Sequence, residues 1–210
     1  WPSAVPDHHT QVRVALFDLG GVLFHYDPES RWQAFAEHTG LGAGEVKKRL
    51  SASGFAQACA EGRYRGAAAY EAGIRALGHR LSRERFTHLW VSAFRPNERV
   101  LEIAQTLKTA LPIALFTNNA DLVRHGLEAL WPAVLAPFMP RVFSADLGLT
   151  KPDPRAYLRI AELLGRVPEE ILVIDDAPVN TATAESLGFS CIDYRSPESL
   201  CHALAARGMR

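Results

Sequence analysis

Three apolar runs in this chain stop on polar residues: 12–17 on Asp18, 112–116 on Thr117-Asn118, and 171–174 on Asp175-Asp176. A lysine, Lys151, lies in Leu149-Thr150-Lys151-Pro152-Asp153-Pro154 between the second and third, where the following proline predicts an extended segment. Carboxylates crowded together repel, and each stays partly protonated unless a cation neutralises it. A hard divalent ion, Mg²⁺, suits such a group, because it takes oxygen ligands in octahedral geometry and keeps positions for water and phosphate oxygens. An aspartate, hydroxyl and amide groups, a lysine and an acidic pair with Mg²⁺ make a set suited to phosphoryl transfer, in which positioning and charge neutralisation supply most of the catalysis.

For these residues to meet, the runs must be neighbouring strands. Apart from Arg13, the run 12–17 is apolar, Val14 to Phe17 without alternation, as a strand buried on both faces requires, and Gly20-Gly21 after it lets the backbone turn freely. Helical patterns at 97–109, 120–130, from Pro154 onward, after Asp176 and after Ser196-Pro197 alternate with short strands at 112–116, 141–144, 171–174 and 190–192. Such alternation predicts an α/β fold, a Rossmann-like parallel sheet flanked by helices, and ligands bind such sheets beyond the carboxyl ends of the strands. Between Glu29 and Phe94 strand signal is scarce. Helical stretches at 31–38, 44–51, 67–77 and 83–94 are separated by glycine-bearing breaks, so a core of residues 1–28 and 95–210 with an inserted α-helical cap domain, 29–94, is expected. Trp32, Phe35, Phe86 and Trp90 recur at helical spacing and read as the cap's interior.

Composition narrows the function. Of 210 residues, 48% are hydrophobic and 22% charged, and 23 Lys and Arg balance 23 Asp and Glu, so no net field favours nucleic acid or an anionic membrane. No apolar run approaches a membrane span, and residues 1–10 lack the basic-then-apolar pattern of a signal peptide and read as a loose tail. Cys59, Cys191 and Cys201 are odd in number and form no C-x-x-C pair, which fits reduced thiols and a cytoplasmic location. The eight histidines show no H-x-x-x-H spacing, so zinc is not expected. A small phosphorylated metabolite is the expected partner, with the protein a monomer or weak dimer.

Phe17-Asp18-Leu19-Gly20-Gly21-Val22, Leu115-Phe116-Thr117-Asn118, Lys151-Pro152 and Val173-Ile174-Asp175-Asp176 resemble the four ordered motifs of the haloacid dehalogenase-like (HAD) hydrolases. The resemblance covers nearly the whole chain, cap included. The Asp-Leu-Gly start, Glu61-Gly62-Arg63 and Asp146-Leu147-Gly148-Leu149-Thr150-Lys151-Pro152 are most similar to the α-D-glucose-1-phosphate phosphatase type.

This resemblance implies a phosphoric monoester hydrolase in which Asp18 attacks phosphorus to form an aspartyl-phosphate. It implies Mg²⁺ held by Asp18, the backbone carbonyl of Gly20 and Asp176, with Asp175 binding directly or through water. Thr117 and the backbone beside Asn118 would hydrogen-bond the phosphoryl oxygens, and Lys151 would offset building charge. The family's second aspartate, two positions after the nucleophile, is here Gly20. Loss of a general acid removes a rate factor of roughly 10²–10⁴, felt most with poor leaving groups, so anomeric and acyl phosphates are favoured. His25 is a stand-in for that acid or an exposed flap residue. Asp27 contacts a sugar hydroxyl or caps the first cap helix, and Glu61 and Arg63 contact substrate or form a solvated loop pair. Two alternatives stay open: a 2-haloacid dehalogenase, which Gly20 and Tyr157 suit and Asp175-Asp176 does not, and a weakly catalytic binder of a phosphometabolite or protein.

Overall fold

The computed structural model describes residues 11–209, and the tail expected at 1–10 lies outside them. Strand β1 (Val14–Phe17) and strand β2 (Phe24–Tyr26) are followed by five helices: α1 (Pro28–Thr39), α2 (Ala43–Ala52), α3 (Phe55–Ala60), α4 (Gly66–Leu77) and α5 (Arg83–Val91). Strand β3 (Phe94–Pro96) then leads to α6 (Glu98–Lys108), β4 (Ile113–Thr117), α7 (Asp121–Leu130), α8 (Pro132–Leu135), β5 (Arg141–Phe143) and α9 (Ser144–Leu147). Helix α10 (Pro154–Leu164), β6 (Ile171–Asp175), α11 (Pro178–Ser186), β7 (Ser190–Asp193) and α12 (Pro197–Ala206) complete the chain.

Five parallel strands form one sheet in the order β5-β4-β1-β6-β7. The chain runs outward from β1 on one side, then returns to build the other, so β1 is central and the order reverses beside it. Successive side chains of a strand point to opposite faces. Ala15 and Phe17, with Leu115 and Ile174, therefore pack into one hydrophobic cluster, while Val14 and Leu16, with Phe116 and Val173, pack into the other. Both faces are dry, which is why these runs show no polar alternation. No described helix is long and apolar enough to cross a membrane.

The first cluster continues without a break into α1–α5. Phe86 sits at the centre of these helices, 5.2 Å from Phe35, 6.0 Å from Phe55 and 6.1 Å from Trp90 between ring centres. Helix α5 also lies directly on α7: a Cβ at Gly126 would come within 2.5 Å of Val91.

Several boundaries differ from the sequence expectation. The helix expected over 83–94 ends at Val91, and Phe94–Pro96 pairs antiparallel with Phe24–Tyr26. Three residues are too few to display a period of two, and the pairing partner lies some seventy residues away in sequence (Phe24 with Pro96). Helices α3, α8 and α9, six or four residues long, escape a periodicity search for the same reason. Lys151-Pro152 lies in a turn and the bond between them is cis, so the segment is not extended.

Candidate active site

The carboxyl ends of β1, β4 and β6 bring Asp18, Thr117 and Asp175 side by side, because β1 pairs with both other strands in register. The loop after α9 drops Lys151 into the middle. Its Nζ donates to Asp18 Oδ1 at 2.7 Å, to Asp175 Oδ2 at 2.6 Å and to the Phe116 carbonyl at 3.2 Å. Lys151 is only 6% exposed, so these contacts replace water almost entirely. Asn118 fixes the loop: its Oδ1 accepts from Lys151 N and its Nδ2 donates to Lys151 O, both at 2.7 Å. Asn119 Nδ2 donates to Thr117 Oγ1 at 2.8 Å, which leaves the Thr117 hydroxyl proton free.

Asp175 is fully engaged. Oδ1 accepts from Ala177 N at 3.0 Å and Asn180 Nδ2 at 2.9 Å, while Oδ2 holds Lys151. Asp176 is exposed and lies against Gly21, whose φ of +87° suits glycine and where a Cβ would come within 2.2 Å of Asp176 Oδ2. Oxygens of Asp18, Asp175 and Asp176 lie within 4.8 Å of one another.

The electrostatics follow from one ammonium serving several carboxylates. Burial pushes the Asp18 carboxyl up to about 6; Lys151 opposes the shift and Asp175 adds to it. Asp176, exposed as a residue, is raised by the partial desolvation of its carboxyl and then by Asp175. Burial alone would lower Lys151, but Asp18 and Asp175 outweigh it and its pKa is raised. Three carboxylates thus share one ammonium, and a divalent cation beside them would favour their ionised forms. All the available donors are hard oxygens, so the set fits Mg²⁺ or a similar ion; Asp176, the backbone carbonyl of Gly20 and Asp18, which shares one oxygen with Lys151, are the groups that would hold it.

A cavity of about 210 Å³ opens here, lined by Asp18, Gly20, Thr117, Asn118 and Lys151 of the expected set, and by Tyr26, Phe94, Asn119 and Asn180 beside them. Asp27, Glu61 and Arg63 are not on its wall. Asp27 caps α1, accepting from Glu29 N at 3.1 Å and Ser30 Oγ at 2.5 Å. Glu61 Oε2 pairs with Arg63 Nε at 2.7 Å, and Glu61 Oε1 accepts from Gln57 at 2.6 Å. His25 is exposed on β2 and does not line the cavity either. Tyr157 is wholly buried, its hydroxyl donating to Asn180 O at 3.0 Å, and serves the wall from behind. None of the three is singled out by the sequence: Asn180 enters through its bond to Asp175, and Tyr26 and Phe94 through the β2–β3 pairing.

A model of the family described as haloacid dehalogenase-like hydrolase matches residues 12–188. Hexitol phosphatase A of Escherichia coli K12 is 31% identical over 189 residues, covering 87% of this chain and 82% of its own. Among solved structures, a HAD family enzyme of Bacteroides thetaiotaomicron, in complex with magnesium and inorganic phosphate, superposes with a TM-score of 0.80 at 22% identity, covering 91% of this chain and 98% of its own. The L-2-haloacid dehalogenase of Xanthobacter autotrophicus, with chloropropionic acid covalently bound, gives 0.61 at 20% identity over 95% of this chain and 85% of its own.

Proposed function

This chain belongs to the haloacid dehalogenase-like hydrolases, and from that premise we propose that it is a Mg²⁺-dependent phosphatase acting on a small phosphorylated metabolite, a sugar phosphate or its like. The observation that carries this reading is the cluster of three carboxylates at the strand ends, whose oxygens lie within 4.8 Å of one another beside a single buried ammonium. A dehalogenation on carbon has no use for it. Tyr157, the residue that favoured a dehalogenase, is buried away from the cavity. The relative from Escherichia coli, named as a phosphatase, supports the same choice.

Asp18 Oδ would attack phosphorus as the P–O bond to the leaving group breaks, forming an aspartyl-phosphate that water then hydrolyses to phosphate and free Asp18, so that one hard hydrolysis becomes two displacements. Lys151, fixed by Asn118 and Asp175, holds the Asp18 carboxylate and offsets charge on the phosphoryl oxygens without moving. Thr117 donates its free hydroxyl proton to one of those oxygens. Bound Mg²⁺, held by Asp18, Asp176 and the Gly20 carbonyl, would supply further charge neutralisation and orient the phosphoryl group. Asp175 acts through Lys151. Residues 29–94 would serve as the cap over a core of 1–28 and 95–210.

Purified protein is expected to release phosphate from p-nitrophenyl phosphate or a sugar phosphate with Mg²⁺, and to lose this with chelator or with Asp18→Asn. Turnover that survives chelation, or chloride release from 2-chloropropionate, overturns the assignment.

A further inference from the structure

Arg31 is a buried cation that the chemistry above does not use. It is 4% exposed, and among the described residues no carboxylate pairs with it; its Nε donates to the Trp90 carbonyl at 2.6 Å. Its guanidinium carbon lies instead among four aromatic rings, 4.2 Å from the centre of Trp90, 5.5 Å from Trp32, 5.6 Å from Tyr26 and 6.0 Å from Phe94. Two of these rings, Tyr26 and Phe94, are also wall residues of the Asp18 cavity. They come from β2 and β3, where the chain leaves for the inserted helices and returns.

At about 210 Å³ the cavity is smaller than the roughly 300–1,000 Å³ of most small-ligand pockets, so it holds a phosphoryl group and little more. The rest of a substrate must lie at the mouth. Tyr26 is 46% exposed there, its ring 5.0 Å from that of Phe94, and a Cβ at Gly20 would touch both side chains at 3.5–3.7 Å. The absence of a side chain at Gly20 therefore leaves aromatic surface beside the point where the leaving group departs. A ring face attracts C–H groups and cations alike, but a cation is already seated at Tyr26 and Phe94. A second positive charge would meet an uncompensated guanidinium across a low-dielectric wall.

We propose that Tyr26, backed by the buried ring of Phe94, is the leaving-group platform, and that the caged Arg31 sets its charge selectivity: leaving groups presenting a neutral or anionic C–H face are accepted and cationic ones refused. This rests on the phosphatase reading and assigns the specificity of that site.

The test compares two phosphate esters of nearly one shape, phosphocholine and its uncharged counterpart 3,3-dimethylbutyl phosphate. Wild type is expected to prefer the neutral ester by about tenfold or more in kcat/KM. Arg31→Met, which keeps length and loses charge, should bring the ratio close to one, while Arg31→Lys keeps the preference. Tyr26→Ala should raise KM for the neutral ester about tenfold, with the inhibition constant of inorganic phosphate changed much less. Equal use of the two esters by wild type, an unchanged ratio in Arg31→Met, or a parallel shift of phosphate inhibition in Tyr26→Ala overturns the proposal. Should Arg31→Met fail to fold, the wild-type ratio and Tyr26→Ala still decide. If Asp18→Asn abolishes turnover but the ratio is flat, only the platform falls; if Asp18→Asn stays active, the phosphatase reading falls first.

Discussion

The cavity has two sides of opposite construction. At the strand ends, Asp18, Lys151 and Asp175 are buried charges whose polar atoms are tied to one another, to Asn118, to Asn180 and to backbone. At the mouth, Tyr26 offers ring surface with the buried Phe94 behind it, and the nearby cation, Arg31, is held by aromatic faces and one carbonyl. Buried charge tolerates little change, because removing one partner strands the others. Aromatic surface at a rim tolerates more, since replacing the exposed Tyr26 alters contact area while Arg31 keeps Trp90, Trp32, Phe94 and the Trp90 carbonyl. The strand-end side is thus suited to a reaction step common to all phosphate esters, and the mouth to the part of the substrate that differs.

The largest expected effect breaks the strand-end side. Lys151→Ala leaves Asp18 and Asp175 facing each other without their ammonium. Activity should fall on the order of 10³-fold, and metal-free stability by about 3–5 kcal/mol, as for a broken buried ion pair. Both are read by phosphate release and by denaturant unfolding. A loss of activity with stability unchanged would mean that the carboxylates were never dependent on Lys151.

Next comes a change that links the two sides. At Gly20 a Cβ would make ordinary contacts, 3.5 Å from Phe94 and 3.6 Å from Tyr26, and the backbone there lies outside the left-handed region. Gly20→Asp should therefore be accommodated and restore a proton donor, raising kcat/KM on alkyl phosphates on the order of 10²-fold. The gain on anomeric or acyl phosphates should be much smaller, because these leave without help. Equal gains would show that the missing acid does not set substrate preference.

A smaller, graded effect comes from protons. Asp18 would bind Mg²⁺ as a carboxylate, and in the metal-free protein its pKa is pushed up to about 6, so Mg²⁺ affinity, read by titration calorimetry, should fall up to about tenfold per pH unit below that point. Stability of the metal-free protein should run the other way. An unfolded aspartate titrates near 3.9, so between roughly pH 4 and 6 the folded state holds the extra proton. The stability contributed by protonated Asp18 is complete below about 4 and is lost as pH rises through about 6. Mg²⁺ affinity and metal-free stability, followed from pH 4.5 to 7, should thus change in opposite directions; parallel curves would place the titrating group elsewhere.

The same contrast governs what the sequence makes legible. Strands buried on both faces announce themselves as unbroken apolar runs, and the acids that end them are conspicuous. Asp18, Thr117, Asn118, Lys151, Asp175 and Asp176 could be read from the chain for that reason, and the structure brings them together. What could not be read is Asp175's part: its carboxylate is taken up by Lys151, Ala177 N and Asn180, so it holds the lysine more than it offers a ligand oxygen. The mouth was not legible at all. Tyr26 and Phe94 meet through a pairing of two three-residue strands, and no local pattern reports a contact across that much chain.

The smallest effects are expected where the sequence looked most suggestive. Glu61-Gly62-Arg63 resembles a substrate-contacting segment, yet the Arg63 side chain is 63% exposed, Glu61 is 34% exposed, and the two pair with each other. An exposed pair of this kind contributes between about 0 and 1 kcal/mol. Glu61→Ala and Arg63→Ala should each leave kcat/KM within about twofold and stability within about 0.5 kcal/mol of wild type. The residue between them should behave differently. Gly62 has φ +73°, and a Cβ there would meet the Ala145 carbonyl oxygen at 2.5 Å, where α3 abuts α9 and Ser144 Oγ donates to Ala60 O at 2.6 Å. Gly62→Ala should cost about 1–3 kcal/mol by forcing that joint apart. A neutral Gly62→Ala alongside a damaging Arg63→Ala would reverse the assignment and return the charged pair to the substrate.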